Sequence, residues 1–205
     1  MPEVVVIDYG LGNLLSVRRG LEHCGATVAV TSDPDIILSA PRVILPGVGA
    51  FAHGMTELCS RGLDAIVRKV VAQGSVLLGI CLGMQLLAMH STEDGETRGL
   101  GLIPTEVERF DIDVMGSLKV PHIGFNEVRS QDQSVLFKNI APSSDFYFVH
   151  SYRLRAGEFH GCHAICHYGQ DFIAAYEHEN IFATQFHPEK SQTNGLKLLN
   201  NFLDY

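Results

Sequence analysis

Short β-branched runs alternate with helical patterns through roughly the first ninety residues of this chain, and that alternation leaves few folds open. Strands are expected at Val4 to Asp8, Thr27 to Thr31, Val43 to Leu45 and Val76 to Ile80. Before the last of these, Leu63, Ile66, Val67, Val70 and Val71 recur at i, i+3, i+4, i+7 and i+8, with Arg68 and Lys69 on the other face and Gly74 as a stop. An amphipathic helix that feeds a buried strand predicts an α/β fold: an open, mostly parallel central sheet with helices on both faces. After Gly99 the texture changes to extended segments with turn residues. Thr105 to Phe110, Lys119 to Ile123, Phe146 to Tyr152, Gly161 to Tyr168, Phe172 to Glu177 and Ile181 to Phe186 are expected to add antiparallel strands. A last helix, Leu196 to Leu203, would bury Leu196, Leu199 and Leu203. At 205 residues, 46% hydrophobic and 19% charged, the chain fits one domain over residues 1–205 with a substantial core.

The bulk numbers also exclude partners. A formal net charge of −8 repels phosphate backbones, and no basic run is longer than Arg18-Arg19, so nucleic acid is not expected. Arg18-Arg19 reads as a solvated helix face. The start, Met-Pro-Glu-Val-Val-Val-Ile-Asp, lacks the basic n-region of a signal peptide. Val76 to Met89 is too short to cross a bilayer and carries Gln85, so no membrane association and a cytoplasmic location are expected. Five dispersed cysteines imply no disulfide framework.

One cysteine stands out. Gly79-Ile80-Cys81-Leu82-Gly83 follows a buried strand and precedes the helical run Leu82 to Met89. That is the pattern of a nucleophile elbow, whose central residue is lifted from the sheet at a strained backbone angle between glycines that avoid collision. A helix N-terminus also favours thiolate over thiol. A cysteine nucleophile needs a base, and the base needs a group to hold its tautomer. Thr184-Gln185-Phe186-His187-Pro188-Glu189 offers both, with His187 directly off a strand and Glu189 two residues on. Leu45-Pro46-Gly47-Val48-Gly49-Ala50-Phe51 lies beyond another strand, at the carboxyl ends where α/β ligand sites gather. Its backbone N–H groups, with that of Leu82, could form an oxyanion hole.

Other patterns carry less. Gly10-Leu11-Gly12 lacks the third small residue of a dinucleotide fingerprint, because Leu15 stands there. Cys162-His163-Ala164-Ile165-Cys166-His167 is one residue too long for haem attachment. As a strand it would separate its cysteines by about 13 Å at ~3.4 Å per residue. No metal and no cofactor are expected.

Five segments together resemble the class I glutamine amidotransferases, and within them the glutaminase subunits of imidazole glycerol phosphate synthase, from histidine biosynthesis. These are Asp8-Tyr9-Gly10-Leu11-Gly12-Asn13-Leu14, Pro46-Gly47-Val48-Gly49-Ala50-Phe51, Gly79-Ile80-Cys81-Leu82-Gly83-Met84-Gln85, Phe148-Val149-His150-Ser151-Tyr152 and Gln185-Phe186-His187-Pro188-Glu189-Lys190-Ser191. The resemblance implies a Cys81–His187–Glu189 triad that forms a γ-glutamyl thioester, releases ammonia, and then releases glutamate to water. It further implies that Gly47, Gly49, Gln85, Glu93, His150, Ser151 and Tyr152 line the glutamine pocket, and that the N–H groups of Val48, Gly49 and Leu82 serve the oxyanion. Tyr147 and Lys190 would face the partner near the ammonia passage, that partner being a (β/α)8-barrel cyclase in a heterodimer. Ile123 and Phe125 depart from the Met and Trp expected of this subunit, keeping apolar volume while altering shape. The departure keeps open a paralogous subunit that supplies ammonia to another synthase, such as one for surface-polysaccharide sugars. A stand-alone γ-glutamyl hydrolase and a non-catalytic binding module are the remaining alternatives.

Overall fold

The computed structural model describes residues 2–157 and 160–205; Met1, Glu158 and Phe159 lie outside the described residues. The chain winds first as β1 (Val4–Ile7), α1 (Leu14–His23), β2 (Val28–Thr31), α2 (Pro34–Ser39), β3 (Arg42–Gly47), α3 (Phe51–Ser60), α4 (Leu63–Ala72), β4 (Val76–Cys81) and α5 (Leu82–Leu86). Then come β5 (His90–Ser91), β6 (Thr97–Arg98), β7 (Glu106–Arg109), β8 (His122–Arg129), β9 (Ser143–His150), β10 (Tyr152–Arg155), β11 (Cys162–Tyr168), β12 (Gln170–His178) and β13 (Ile181–Thr184). A 3-10 turn at Pro188–Lys190 leads into α6 (Gln192–Asp204).

The strands form one mixed sheet whose parallel heart has the order β2-β1-β3-β4-β13. Beyond it β12, β10 and β7 continue antiparallel, and β11, β8 and β9 branch from β12. Alternate residues of the heart bury on opposite faces: Val5, Ile7, Val43, Leu45 and Leu77 in one apolar cluster, Val4, Val6, Ile44, Leu78 and Ile80 in the other. Burial on both sides is why these strands read as unbroken apolar runs. Leu63, Ile66, Val67 and Val70 of α4 are buried as the periodicity predicts, and Gly74 stops the chain at φ +89°. Among the described residues no helix is long and apolar enough to cross a membrane.

The decisive topological step is the return of β13 from the end of the chain into the centre, beside β4, with Ala183 opposite Gly79 and Thr184 opposite Ile80. Because the two strands are parallel and in register, the residues that follow them emerge at one edge. Cys81 leaves β4 where Gln185, Phe186 and His187 leave β13.

Several boundaries differ from expectation. The strand expected at Lys119 to Ile123 is β8, His122–Arg129; Pro121 has no N–H to give a ladder, so pairing starts after it. The run from Phe146 to Tyr152 is two strands that part at Ser151, β9 pairing with β8 and β10 with β7 and β12. The helix after Cys81 ends at Leu86 rather than Met89, because Leu87 and Ala88 tighten onto Met84 and Gln85, and Met89 N–H donates to Thr105 instead. In α6 the buried stripe is Gly195, Leu198, Leu199 and Phe202, with Leu196 and Leu203 only half-buried at its edges. Gly195 is required there, since an added Cβ would collide with the carbonyl oxygen of Pro188. Gly195→Ala is expected to lower the unfolding free energy by ~1–3 kcal/mol, read as a lower urea midpoint at unchanged m; an unchanged midpoint would show that the turn yields freely.

Candidate functional site

At the end of β4 the backbone of Cys81 adopts φ 55° and ψ −110°, a conformation that L-residues avoid. The surroundings enforce it. A Cβ on Gly83 would run into the carbonyl of Leu45, and one on Gly79 would sit 2.9 Å from both the N of Met84 and Cδ1 of Leu87. Gly47, opposite Cys81 in the β3–β4 register, leaves the space that the Tyr9 hydroxyl fills. The predicted elbow is present, and its glycines are explained by three backbones meeting at one point. The five residues of α5 give little more than one turn of aligned peptides, so the helix dipole at Cys81 is weaker than the expected eight-residue run would supply.

Past β13, His187 N–H donates to the Tyr147 carbonyl at 2.9 Å, and Ser191 Oγ donates to the His187 carbonyl at 2.6 Å while accepting from Tyr147 N–H at 2.9 Å. These bonds fix the turn that carries the imidazole. His187 Nδ1 donates to Glu189 Oε1 at 2.8 Å, with both side chains almost fully buried. That bond leaves Nε2 toward the Cys81 sulfur, where no other hydrogen-bond partner takes it among the described residues. Burial lowers the imidazole's pKa, but the Cys81 sulfur and the Glu189 carboxylate outweigh it, and the net result is a value raised to about 10. The pair is thus poised as imidazolium beside sulfur. Glu189 is packed where α1 passes closest, and Gly20 allows that approach.

Cys81 opens onto a cavity of about 240 Å³ lined by Val48, Gly49, Leu82, Gln85, Glu93 and the segment from Val149 to Tyr152. His187 and Glu189 are not part of its wall; both are buried, His187 beside the sulfur and Glu189 behind the imidazole. Nor is Gly47, whose place is the strand end. Gln85 donates through Nε2 to the Tyr152 carbonyl at 2.8 Å and to Gln185 Oε1 at 2.9 Å, tying α5 to β10 and β13's continuation. Gln185 Nε2 in turn points at the Cys81 sulfur from 3.8 Å. Glu93 Oε2 accepts from Phe51 N–H at 2.7 Å, and burial raises the pKa of its carboxyl more than that bond lowers it. His150 Nδ1 donates to the Tyr152 carbonyl at 2.8 Å, so its Nε2 must accept from His122 Nδ1 at 3.0 Å. Burial holds both rings neutral, His122 with a pKa lowered to about 4 and His150 to about 3.

Tyr147 and Lys190 also come together: the Lys190 ammonium lies 5.9 Å from the Tyr147 ring centroid. Phe125 packs edge-on to that ring at 5.5 Å. Ile123 is 60% and Phe125 50% exposed, so the two departures are changes on a surface. His122, Gln185 and Ser191 are supporting residues to which the sequence assigns no role, although Gln185 and Ser191 stand at the two ends of the segment that carries His187. Cys162–Tyr168 is a strand, as the spacing argument held, and no group of three or more His, Cys, Asp or Glu fit to hold a metal occurs among the described residues.

Imidazole protonation is coupled to folding here. A pKa raised above the unfolded value of ~6.5 contributes stability that is complete below that pH and is lost as pH rises through about 10. The His187 ring nitrogen resonances are expected to titrate near pH 10 in the intact protein, and to titrate lower in Cys81→Ala. A midpoint near 6.5 in both would contradict the ion-pair reading.

The model of the family described as glutamine amidotransferase class-I matches residues 5–205. Among similar proteins, the imidazole glycerol phosphate synthase subunit HisH of Moorella thermoacetica is 48% identical over 98% of this chain and 94% of its own length. The protein of the same name from Methanosarcina acetivorans is 46% identical over 100% and 99%. A solved glutamine amidotransferase superposes with a TM-score of 0.75 at 20% identity, covering 98% of this chain and 97% of that one, a likeness of fold alone. With a family model spanning all but the first residues and relatives near half identity from end to end, this chain belongs to the class I glutamine amidotransferases.

Proposed function

We propose that the chain is the glutaminase subunit of an imidazole glycerol phosphate synthase, one folding unit over residues 1–205 that works in a heterodimer with a (β/α)8-barrel cyclase. The observation that carries the reading is the Cys81 thiol at a strained elbow on a cavity of glutamine size, with an imidazole held by Glu189 on its packed side. The relatives' names support the identity of the synthase: proteins 43–48% identical over nearly the whole chain are called its HisH subunit. That favours histidine biosynthesis over a polysaccharide pathway. Ile123 and Phe125 remain apolar and exposed, compatible with a docking surface.

In this reading the Cys81 thiolate attacks the side-chain amide carbon of L-glutamine. The carbonyl oxygen becomes an oxyanion that accepts from the N–H groups of Leu82, Val48 and Gly49 once the loop is arranged for it. His187 gives its Nε2 proton to the leaving nitrogen, ammonia departs, and a γ-glutamyl thioester remains. Water, deprotonated by the now neutral His187, attacks the thioester and releases glutamate and the thiolate. Glu189 holds the imidazole tautomer and stabilises its charged form. The carboxylate and amine of the substrate fall to the wall formed by Gly49, Gln85, Glu93, His150, Ser151 and Tyr152. Gly47 shapes the strand end beneath it. Tyr147 and Lys190 flank the exit toward the cyclase. A closed passage matters because free ammonia is mostly protonated, and so non-nucleophilic, at neutral pH.

Cys81→Ala is expected to abolish glutamine-dependent synthesis by the assembled complex while leaving its ammonium-dependent synthesis within about twofold of the parent. Glu189→Gln should lower the glutaminase kcat by about 10²–10⁴-fold. Loss of both activities in Cys81→Ala would argue against a division of labour. Vigorous glutaminase turnover by the isolated chain, unchanged by the cyclase and its nucleotide, would favour the stand-alone hydrolase.

A further inference from the structure

Tyr9 follows β1, and its side chain is among the largest fully buried ones in the protein. The ring belongs to the apolar cluster under α5 that includes Leu45, Phe51 and Leu82. Yet its hydroxyl has no hydrogen-bond partner among the described residues. A buried hydroxyl without a partner weakens a fold, and phenylalanine would fill the same space without that penalty, so such a group calls for an explanation.

Its position is specific. The phenol oxygen occupies the room that a Cβ on Gly47 would need, and Cβ of Leu82 and the N of Gly83 lie 2.9 and 3.2 Å from the same point. It is wedged between the end of β3 and the start of α5, against the residue that sits opposite Cys81 in the ladder. Burial, and secondarily Cys81, raise the pKa of the phenol and keep it a neutral donor. The loop above it has open space beside it: Val48 is 40% exposed, and no atom of the described residues lies within 4 Å of where a Cβ on Gly49, at φ +108°, would be.

A trans peptide sets the Gly47 carbonyl and the Val48 N–H on opposite sides of the chain. If the N–H turns into the cavity, toward the oxyanion, the carbonyl turns toward the packed side of the strand, where an oxygen without a donor is costly. We infer that the Tyr9 hydroxyl is the donor that receives the Gly47 carbonyl in this arrangement, which makes Tyr9 a positioning residue for the oxyanion-stabilising Val48 N–H. The inference rests on the proposed role of Val48 and adds the group that holds it in place. It also accounts for a hydroxyl left without a partner: its acceptor arrives only when the loop is set for catalysis.

The test is Tyr9→Phe in the complete complex with the cyclase and its nucleotide. Expected is a ~10- to 100-fold fall in the glutaminase kcat, below the 10²–10³-fold typical of deleting an oxyanion donor outright. The KM for glutamine should change less than about threefold, because the Val48 N–H that Tyr9 holds in place is needed in the transition state and not for binding. Ammonium-dependent synthesis should stay unchanged, and the thermal midpoint of the chain should hold or rise, as it should when an unsatisfied buried hydroxyl is removed. A kcat equal to the parent's would overturn the inference. So would a drop in the thermal midpoint with loss of ammonium-dependent synthesis, which would make Tyr9 a packing residue. Absence of glutaminase turnover in the unmutated complex would sink the parent reading of Cys81, and this inference with it.

Discussion

Three backbones come closer at the elbow than side chains allow, and the rest of the molecule is arranged around that approach. The start of α5 lies on the end of β3 so tightly that Gly83 has the Leu45 carbonyl where its Cβ would be. Gly79 and Gly47 clear space on β4 and β3 for the same contact. Cys81, caught between a buried strand and this contact, takes a positive φ and turns its sulfur out of the sheet. Strain of that kind costs about 1–3 kcal/mol and persists only where surrounding packing over-determines it. Here the over-determination comes from the parallel strands, which are buried on both faces and cannot relax toward solvent.

A second constraint is electrostatic. His187 and Glu189 are both buried, and a charge taken out of water is tolerated only when paired and hydrogen-bonded. Glu189 Oε1 has the Nδ1–H of His187, while Oε2 has no partner among the described residues. The single bond therefore carries the compensation on the carboxylate side, and the sulfur of Cys81 carries it on the other side of the ring. Removing either neighbour leaves a buried charge with one partner fewer. The same burial has the opposite outcome for His122 and His150. With no carboxylate beside them among the described residues, they stay neutral and serve as a donor-acceptor chain ending on the Tyr152 carbonyl. The single imidazole of His187 and the pair at His122 and His150 thus differ in charge because His187 has an anion within reach.

The elbow was legible in the sequence because its cause is the absence of side chains, and glycines at fixed offsets from a cysteine record that absence. The alternation of strands and helices was legible for a similar reason: two-sided burial writes unbroken apolar runs, and one-sided burial writes a 3.6-residue period. What does not show depends on tertiary packing. Leucines alone do not set the stripe of α6, whose buried face is chosen by Gly195 against Pro188 and by Phe202 in the core. The segment around Ser151 looks like one strand locally, but β9 and β10 have different neighbours, β8 on one side and β7 and β12 on the other. Ser191 reads as an ordinary polar residue, and only the fold shows its hydroxyl bridging the His187 carbonyl to the Tyr147 N–H. Tyr9 is the extreme case, since nothing local distinguishes it from a core aromatic.

Tyr147 links the two halves of the design. Its ring stands among Phe125 and Lys190 on the face proposed to meet the cyclase. Its backbone, in the same residue, accepts from the N–H of His187 and donates to Ser191. β9 is therefore both a surface strand and the rail on which the imidazole is hung, and it pairs with β8, the strand that exposes Ile123 and Phe125. A partner that pressed on that surface would act on β8 and β9 before anything else, and through one backbone pair on the position of His187. Cys81 and His187 leave neighbouring parallel strands, β4 and β13, which hold them side by side. The bond from His187 to Tyr147 adds a second hold on the imidazole, and that hold runs to β9 and so to the surface.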